Sequence, residues 1–214
     1  MSQFKRDHAL AAFKATVNLV PLVGGSVASL IDDYVPTSKQ KAIDQGWQLF
    51  SARIESLETR INSESANKED FAELFQRFED VISRTNRREK LEAAANILTN
   101  VLLKPNDPAK SPFEELDHLM HCVDKLSSGA ITILGAVRTL PPQGQLGIHS
   151  FSAVWRQLPQ IEQSLLMSLL MELHSLNLVR VTEGAVGTPD WQHVSVQLTL
   201  VGQRFAERFI EGRL

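Results

Sequence analysis

Between Ile43 and Ile61 the apolar residues fall at Ile43, Trp47, Phe50, Ile54, Leu57 and Ile61, at spacings of 4, 3, 4, 3 and 4. This is a single seam on one helix face, sustained for nearly three heptads, and it requires a covering surface along its length. With Thr37 or Ser38 as cap after Pro36, the pattern predicts a helix running to about Glu64. Trp47 and Phe50 are bulky for a narrow two-stranded seam, which favours a globular bundle. A second copy of the chain is the other surface that could cover it, so Trp47, Phe50, Ile54 and Leu57 are also candidate interaction residues.

Two further stripes support the bundle. Asn67 precedes a run that places Phe71, Leu74, Phe75, Phe78, Val81 and Ile82 on one face, with Asp70 three residues after the cap. A third run carries Leu91, Ala94, Ala95, Leu98, Val101 and Leu102. Three apolar stripes joined by short polar corners predict an antiparallel bundle. Between the second and third lies RTNRREK, the densest basic stretch, with Arg84, Arg87, Arg88 and Lys90. Four cations there could meet phosphates or anionic headgroups. Glu79, Asp80, Glu89 and Glu92 surround them, however, and favour pairing along the helices.

Ahead of the bundle, Ala15–Ile31 (ATVNLVPLVGGSVASLI) is a run of seventeen residues without a charge. A membrane-spanning helix needs about 20 mostly apolar residues, and Pro21 and Gly24-Gly25 interrupt this shorter one. Two short helices, near 4–19 and 25–34, joined by an apolar corner are expected. Core packing is the first reading of Leu22, Val23, Gly24, Gly25, Val27 and Leu30. Self-association through the small residues and insertion into a bilayer remain open. Asn18 and Pro21 in the first apolar run argue against a cleavable leader.

LKPNDPAKSP, residues 103–112, holds three prolines and reads as a break between a bundle over 1–104 and a second domain over 113–214, with 105–112 as linker. Beyond it, helices are expected from Pro112 to about Lys125, from Ser128 to before Pro141, and over Phe151–Leu158. An apolar helix follows, with Ile161, Leu165, Leu166, Leu169, Leu170, Leu173 and Leu176. The period then falls to two. Leu178–Thr182 and the alternating Val194, Val196 and Leu198 read as strands, and Thr199 caps a last helix that buries Phe205, Phe209 and Ile210.

Helix, helix, helix, strand, loop, strand, helix is a recognisable order. The segment LLMELHSLNLVRV…VSVQLTLVGQRFAERF resembles the winged-helix superfamily where its third helix enters the two wing strands, a likeness covering roughly 128–214. The N-terminal half resembles uncharacterised bacterial helical proteins, a likeness that carries no activity. The resemblance implies a fold that is mainly α, a helical bundle followed by a winged helix. It also implies that the third helix and wing are the surfaces to inspect, because many such domains lay that helix in the DNA major groove.

Base edges are read by hydrogen bonds from Arg, Lys, Asn or Gln, with cations beside them for the phosphates. Here the expected outward positions are Glu162, Gln163, Ser164, Ser168, Glu172 and Ser175, and no Lys or Arg lies between Arg156 and Arg180. The wing offers Glu183, Asp190, Trp191 and His193. Twenty-two basic residues against twenty-five acidic ones give a net charge of -3, so the chain lacks a general affinity for nucleic acid. DNA binding is disfavoured in the usual docking and stays open in a less usual orientation using Arg204, Arg208 and Arg213. A protein partner suits the surface better, with Trp191 as an anchor if exposed.

Chemistry finds little support. His118, His121 and Cys122 could converge on a metal, but Leu116, Met120 and Val123 mark the same helix as a packing helix. No phosphate loop, dinucleotide fingerprint, nucleophile elbow or zinc-protease helix is present. The single cysteine excludes a disulfide framework within the chain and fits a reducing cytosol. The expectation is a non-enzymatic, cofactor-free bacterial protein of the cytoplasm, peripheral to the membrane if 15–31 engages it. It would act through a protein partner or its own copies. A DNA-binding regulator and a membrane-acting effector of toxin or phage-defence type are the alternatives.

Overall fold

A computed structural model describes residues 40–62, 64, 66–85, 87–141, 147–182, 193–210 and 212. The chain is mainly helical, with eight α-helices among the described residues and one small antiparallel sheet. It divides into two compact units, one ending at Asp124 and the other spanning Lys125–Arg213.

In the first unit, α1 (Gln40–Ser56), α2 (Lys68–Arg84) and α3 (Arg88–Asn100) pack on one another, most extensively α1 on α3. The heptad seam is covered by the chain itself: Ile43, Trp47, Phe50, Ile54, Leu57 and Ile61 are all buried. Trp47 meets Phe75 and Phe78 of α2 at ring-centroid distances of 5.4 and 5.1 Å, and Phe50 meets Phe78 at 5.8 Å. Such aromatic pairs add about 1 kcal/mol each to the burial of their area. Trp47, Phe50, Ile54 and Leu57 are therefore core residues here, not an interface held open for a partner. Gly46 lets α1 approach α2 closely, since a Cβ there would stand 2.8 Å from Ile82 Cγ2.

The helix expected to reach Glu64 stops at Ser56. Glu58–Arg60 tightens into a 3₁₀ turn, and the chain then extends to pair Ile61 with Leu103. The Asn62 and Lys104 amides donate to the Leu102 and Arg60 carbonyls, at 2.9 Å each. Ile61 keeps its place in the apolar seam although it leaves the helix. In α2 all six stripe residues from Phe71 to Ile82 are buried, and Asn67 Oδ1 caps the helix by accepting from the Glu69 amide at 2.9 Å.

Residues 105–112 do not separate the units. The Asp107 carboxylate clasps Arg60 through Nε at 2.8 Å and Nη2 at 2.6 Å. Asn100 donates to the Ala109 carbonyl and accepts from the Ser111 amide, both at 2.8 Å. Lys110 Nζ donates to the carbonyls of Val101 and Leu103, at 2.9 and 2.8 Å, and so satisfies acceptors left open beyond the end of α3. Burial holds the Lys110 ammonium below its ordinary pKa, against the opposing pull of Asp70 and Asp107. The proline-rich stretch is thus bound into the first unit, with α4 (Phe113–Lys125) following it, and the division falls at the C-terminal end of α4.

The second unit runs α5 (Ser128–Thr139), β1 (Ile148–Ser150), α6 (Phe151–Gln157), α7 (Gln163–Ser175), β2 (Val179–Thr182), β3 (Ser195–Leu198) and α8 (Leu200–Arg204), which continues in wider π-type turns over Phe205–Ile210. Ser127, Ser150 and Thr199 cap α5, α6 and α8 through their hydroxyls. Strand β3 lies in the middle of the sheet, antiparallel to β1 and β2, giving the order β1-β3-β2. His149 registers with Val196 on one side of β3, and Val181 with Val196 on the other. Asn177, at φ 57°, takes the left-handed conformation that turns the chain from α7 into β2. Gly202 packs where no side chain fits: a Cβ would stand 1.8 Å from the Leu178 carbonyl oxygen.

Candidate functional site

Helix α7 is positioned from its inner side. Leu166, Leu170 and Leu173 are fully buried, and the helix packs on α5 and β2. The seven apolar residues of this run span about half the circumference at 100° per residue, more than one core-facing side takes up. The surplus shows at Leu165, which is 52% exposed instead of buried, while Ile161, Leu169 and Leu176 are half-buried. Met171, on the other flank, is 44% exposed.

Between these two apolar side chains the surface carries small serines and one carboxylate, Glu172. Ser164, Ser168 and Ser175 are exposed, and their hydroxyls donate inward: Ser164 to Glu162 Oε1 at 2.8 Å, Ser168 to the Ser164 carbonyl at 3.0 Å, Ser175 to the Glu172 carbonyl at 2.7 Å. Glu172 is half-buried and accepts from the Ser127 amide and from Ser127 Oγ, the latter at 3.0 Å. Its negative charge thus sits at the start of α5, where the helix dipole favours it. Beside the α7 N-terminus is an open cleft of about 600 Å³, lined among others by Trp155, Pro159, Ile161 and Ser164. Trp155 is fixed there by its indole N–H, which donates to the Ile161 carbonyl at 2.9 Å.

The basic candidates are mostly engaged in pairs. Arg84 reaches Asp124 at 3.3 Å, Arg88 reaches Glu92 at 2.7 Å, and Lys90 Nζ donates to the Asp124 carbonyl at 3.1 Å. Hydrogen bonding and charge from Glu92 raise the Arg88 pKa. Arg87 is exposed at the start of α3. RTNRREK is therefore largely a paired helix corner. Arg204 and Arg208 are half-buried on the last helix. In the sheet, Arg180 is exposed and registers with Gln197.

On α4, Cys122 Sγ lies 3.6 Å from His118 Nε2, whereas His121 is exposed. Burial pushes the Cys122 thiol up to about 12, which keeps it protonated and unreactive at neutral pH. Among the described residues, no group of three His, Cys, Asp or Glu side chains is placed to hold a metal ion, and no helix is long and apolar enough to cross a membrane. Trp191, and Leu22, Val23, Gly24, Gly25, Val27 and Leu30, lie outside the described residues.

No family model, curated protein or solved structure matches the chain.

Proposed function

We propose that the second unit is a winged helix used to dock protein, and that the chain is a non-enzymatic adaptor or regulator. The element order helix, strand, helix, helix, strand, strand, helix and the antiparallel order β1-β3-β2 support the winged-helix reading. In that arrangement α7 is the third helix, the one that in DNA-binding members enters the major groove.

The outward face of α7 carries the functional reading. It shows Leu165 and Met171 around serines whose hydroxyls are bonded within the helix, and no Lys or Arg occurs from Gln163 to Ser175. Phosphates would find no cation on it, and its one amide side chain able to read a base edge, Gln163, is half-buried at the helix start. An apolar protein surface would remove two large exposed side chains from water.

Gel retardation with duplex DNA at low salt tests this against the DNA-binding alternative. No retained complex is expected. Salt-dependent retention that disappears on Arg204→Ala or Arg208→Ala would overturn the docking reading and establish the less usual DNA orientation.

A further inference from the structure

The outer edge of β2 is closed by a side chain. The Thr199 amide donates to the Leu178 carbonyl at 3.1 Å. In the register of β2 on β3, the alternation of an antiparallel ladder then turns the backbone groups of Arg180 and Thr182 towards β3. Those of Val179 and Val181 face away from it, on an edge that no further strand pairs with in the order β1-β3-β2. His174, in the last turn of α7, meets them there. Its Nδ1 lies 3.3 Å from the Val181 amide nitrogen and 3.2 Å from the Val179 carbonyl oxygen. A residue of an added parallel strand would engage the same two groups with its carbonyl and its amide, so one ring nitrogen stands in the place of a strand residue.

Nδ1 cannot serve both groups at once. Unprotonated, it has a lone pair that accepts from the Val181 N–H; protonated, it has a hydrogen to donate to the Val179 carbonyl. We infer that His174 is a proton-operated latch on the edge of β2: the neutral imidazole holds Val181, and the imidazolium releases Val181 and holds Val179. His174 is exposed, so solvent protons reach it without any opening of the fold. The exchange is confined to the edge, because the turn from α7 into β2 is fixed by other bonds. The Leu178 amide donates to the Leu173 carbonyl at 3.0 Å, and Thr199 Oγ1 donates to the Asn177 carbonyl at 2.7 Å.

The titratable and charged groups on the surrounding elements are Glu172 on α7, Arg138 on α5, Arg180 on β2, Arg204 on α8 and His149 on β1. Glu172 accepts from Ser127, Arg138 pairs with Glu207 at 2.8 Å, Arg204 is half-buried, and Arg180 is exposed between the two edge residues. His149 registers with Val196, which registers in turn with Val181, so its protonation has a route to the same strand.

Nuclear magnetic resonance of the full chain between about pH 8 and about pH 5, across the ordinary histidine range, follows both halves of the exchange. At the upper pH the His174 Nδ1 shift should be that of an unprotonated ring nitrogen, and the Val181 amide should be protected from hydrogen exchange. As the pH falls, the Val181 protection factor should drop by about tenfold, as the loss of one hydrogen bond allows. The Val179 carbonyl shift should move with the same midpoint, while the Arg180 and Thr182 amides keep their protection. In His174→Gln the side-chain amide has a separate donor and acceptor that do not titrate. Val181 should then be indifferent to pH although His149 is still present. In His174→Ala it should be unprotected throughout, with the helical circular dichroism of both variants unchanged.

An Nδ1 that already carries the proton at the upper pH overturns the latch, since Val181 then has no acceptor to lose. A Val181 response that persists in His174→Gln assigns the effect to His149 and overturns it as well. So does a His174 that titrates while the Val181 and Val179 signals stay still.

Discussion

The two units treat their helices in opposite ways. In the first, α3 is enclosed on all sides from Ala93 to Asn100, and its polar side chains Asn96, Thr99 and Asn100 are taken into the core with it. In the second, α7 is the richer in leucine, with five against two, yet leaves Leu165 and Met171 in solvent. A helix can be buried around its whole circumference only if its polar groups find partners inside, and α3 has them. Thr99 Oγ1 donates to the Ala95 carbonyl at 2.8 Å, and Asn100 serves the Ala109 carbonyl and the Ser111 amide. The difference teaches that polarity inside and apolarity outside each mark a specific arrangement: α3 organises a core from all sides, whereas α7 is packed from one side only.

The largest effect is expected where the first unit depends on a buried polar group. Asn100→Ala removes one donor and one acceptor and leaves the Ser111 amide and the Ala109 carbonyl without that partner. A loss of about 2–3 kcal/mol in unfolding free energy follows. Chemical denaturation of the full chain, with the midpoint followed by circular dichroism, measures it. A change within about 0.5 kcal/mol would mean that the proline-rich stretch is not held by Asn100, and the contrast between the units would lose its first half.

A smaller effect is expected at the second unit's own buried polar group. His149 is only 5% exposed, its Nδ1 has no hydrogen-bond partner among the described residues, and burial lowers its pKa from 6.5. The folded state therefore binds its proton less readily than the unfolded state. The stability associated with neutral His149 is complete above about pH 6.5 and is lost as the pH falls towards the lower folded-state pKa. Unfolding midpoints between pH 8 and pH 5, taken as approximate limits around the ordinary histidine range, should decline on the acid side. The decline should be shallower in His149→Leu. Identical slopes in the two proteins would show that His149 becomes protonated without cost, and that this unit does not discriminate against an unpartnered polar group as the first does.

Periodicity predicted the parts of the fold governed by a long repeat. It gave α2 its six buried residues and α5 nearly its full extent, and Asn67 and Thr199 stand as the caps their side chains suggested. It failed where partners distant in sequence decide. Strand β1 is three residues long, too short for an alternating pattern, and exists because β3 pairs with it. Residues 105–112 have the composition of a linker, but Arg60, 47 positions before Asp107, holds them. At the candidate site the absence of cations was legible, as were the outward serines. Leu165 was not, because a leucine adjoining a core stripe reads as core until the width of the buried side is known.

The sharpest form of the comparison is between adjacent leucines. Leu165 is 52% exposed and Leu166 is 0% exposed, although both belong to the same apolar run. Leu165→Ser should alter the unfolding free energy by no more than about 0.5 kcal/mol, since it withdraws little surface that folding had buried. Leu166→Ser would create a cavity and place a hydroxyl in it, and it serves as the control for sensitivity. If Leu165→Ser were as damaging as its neighbour, the leucine would be part of the fold's own core and α7 would have no face to offer. If Leu165→Ser leaves the unfolding free energy unchanged while Leu166→Ser lowers it sharply, the two leucines divide the helix into a side the fold needs and a side it does not, which is the distinction between α7 and α3 expressed at adjacent residues.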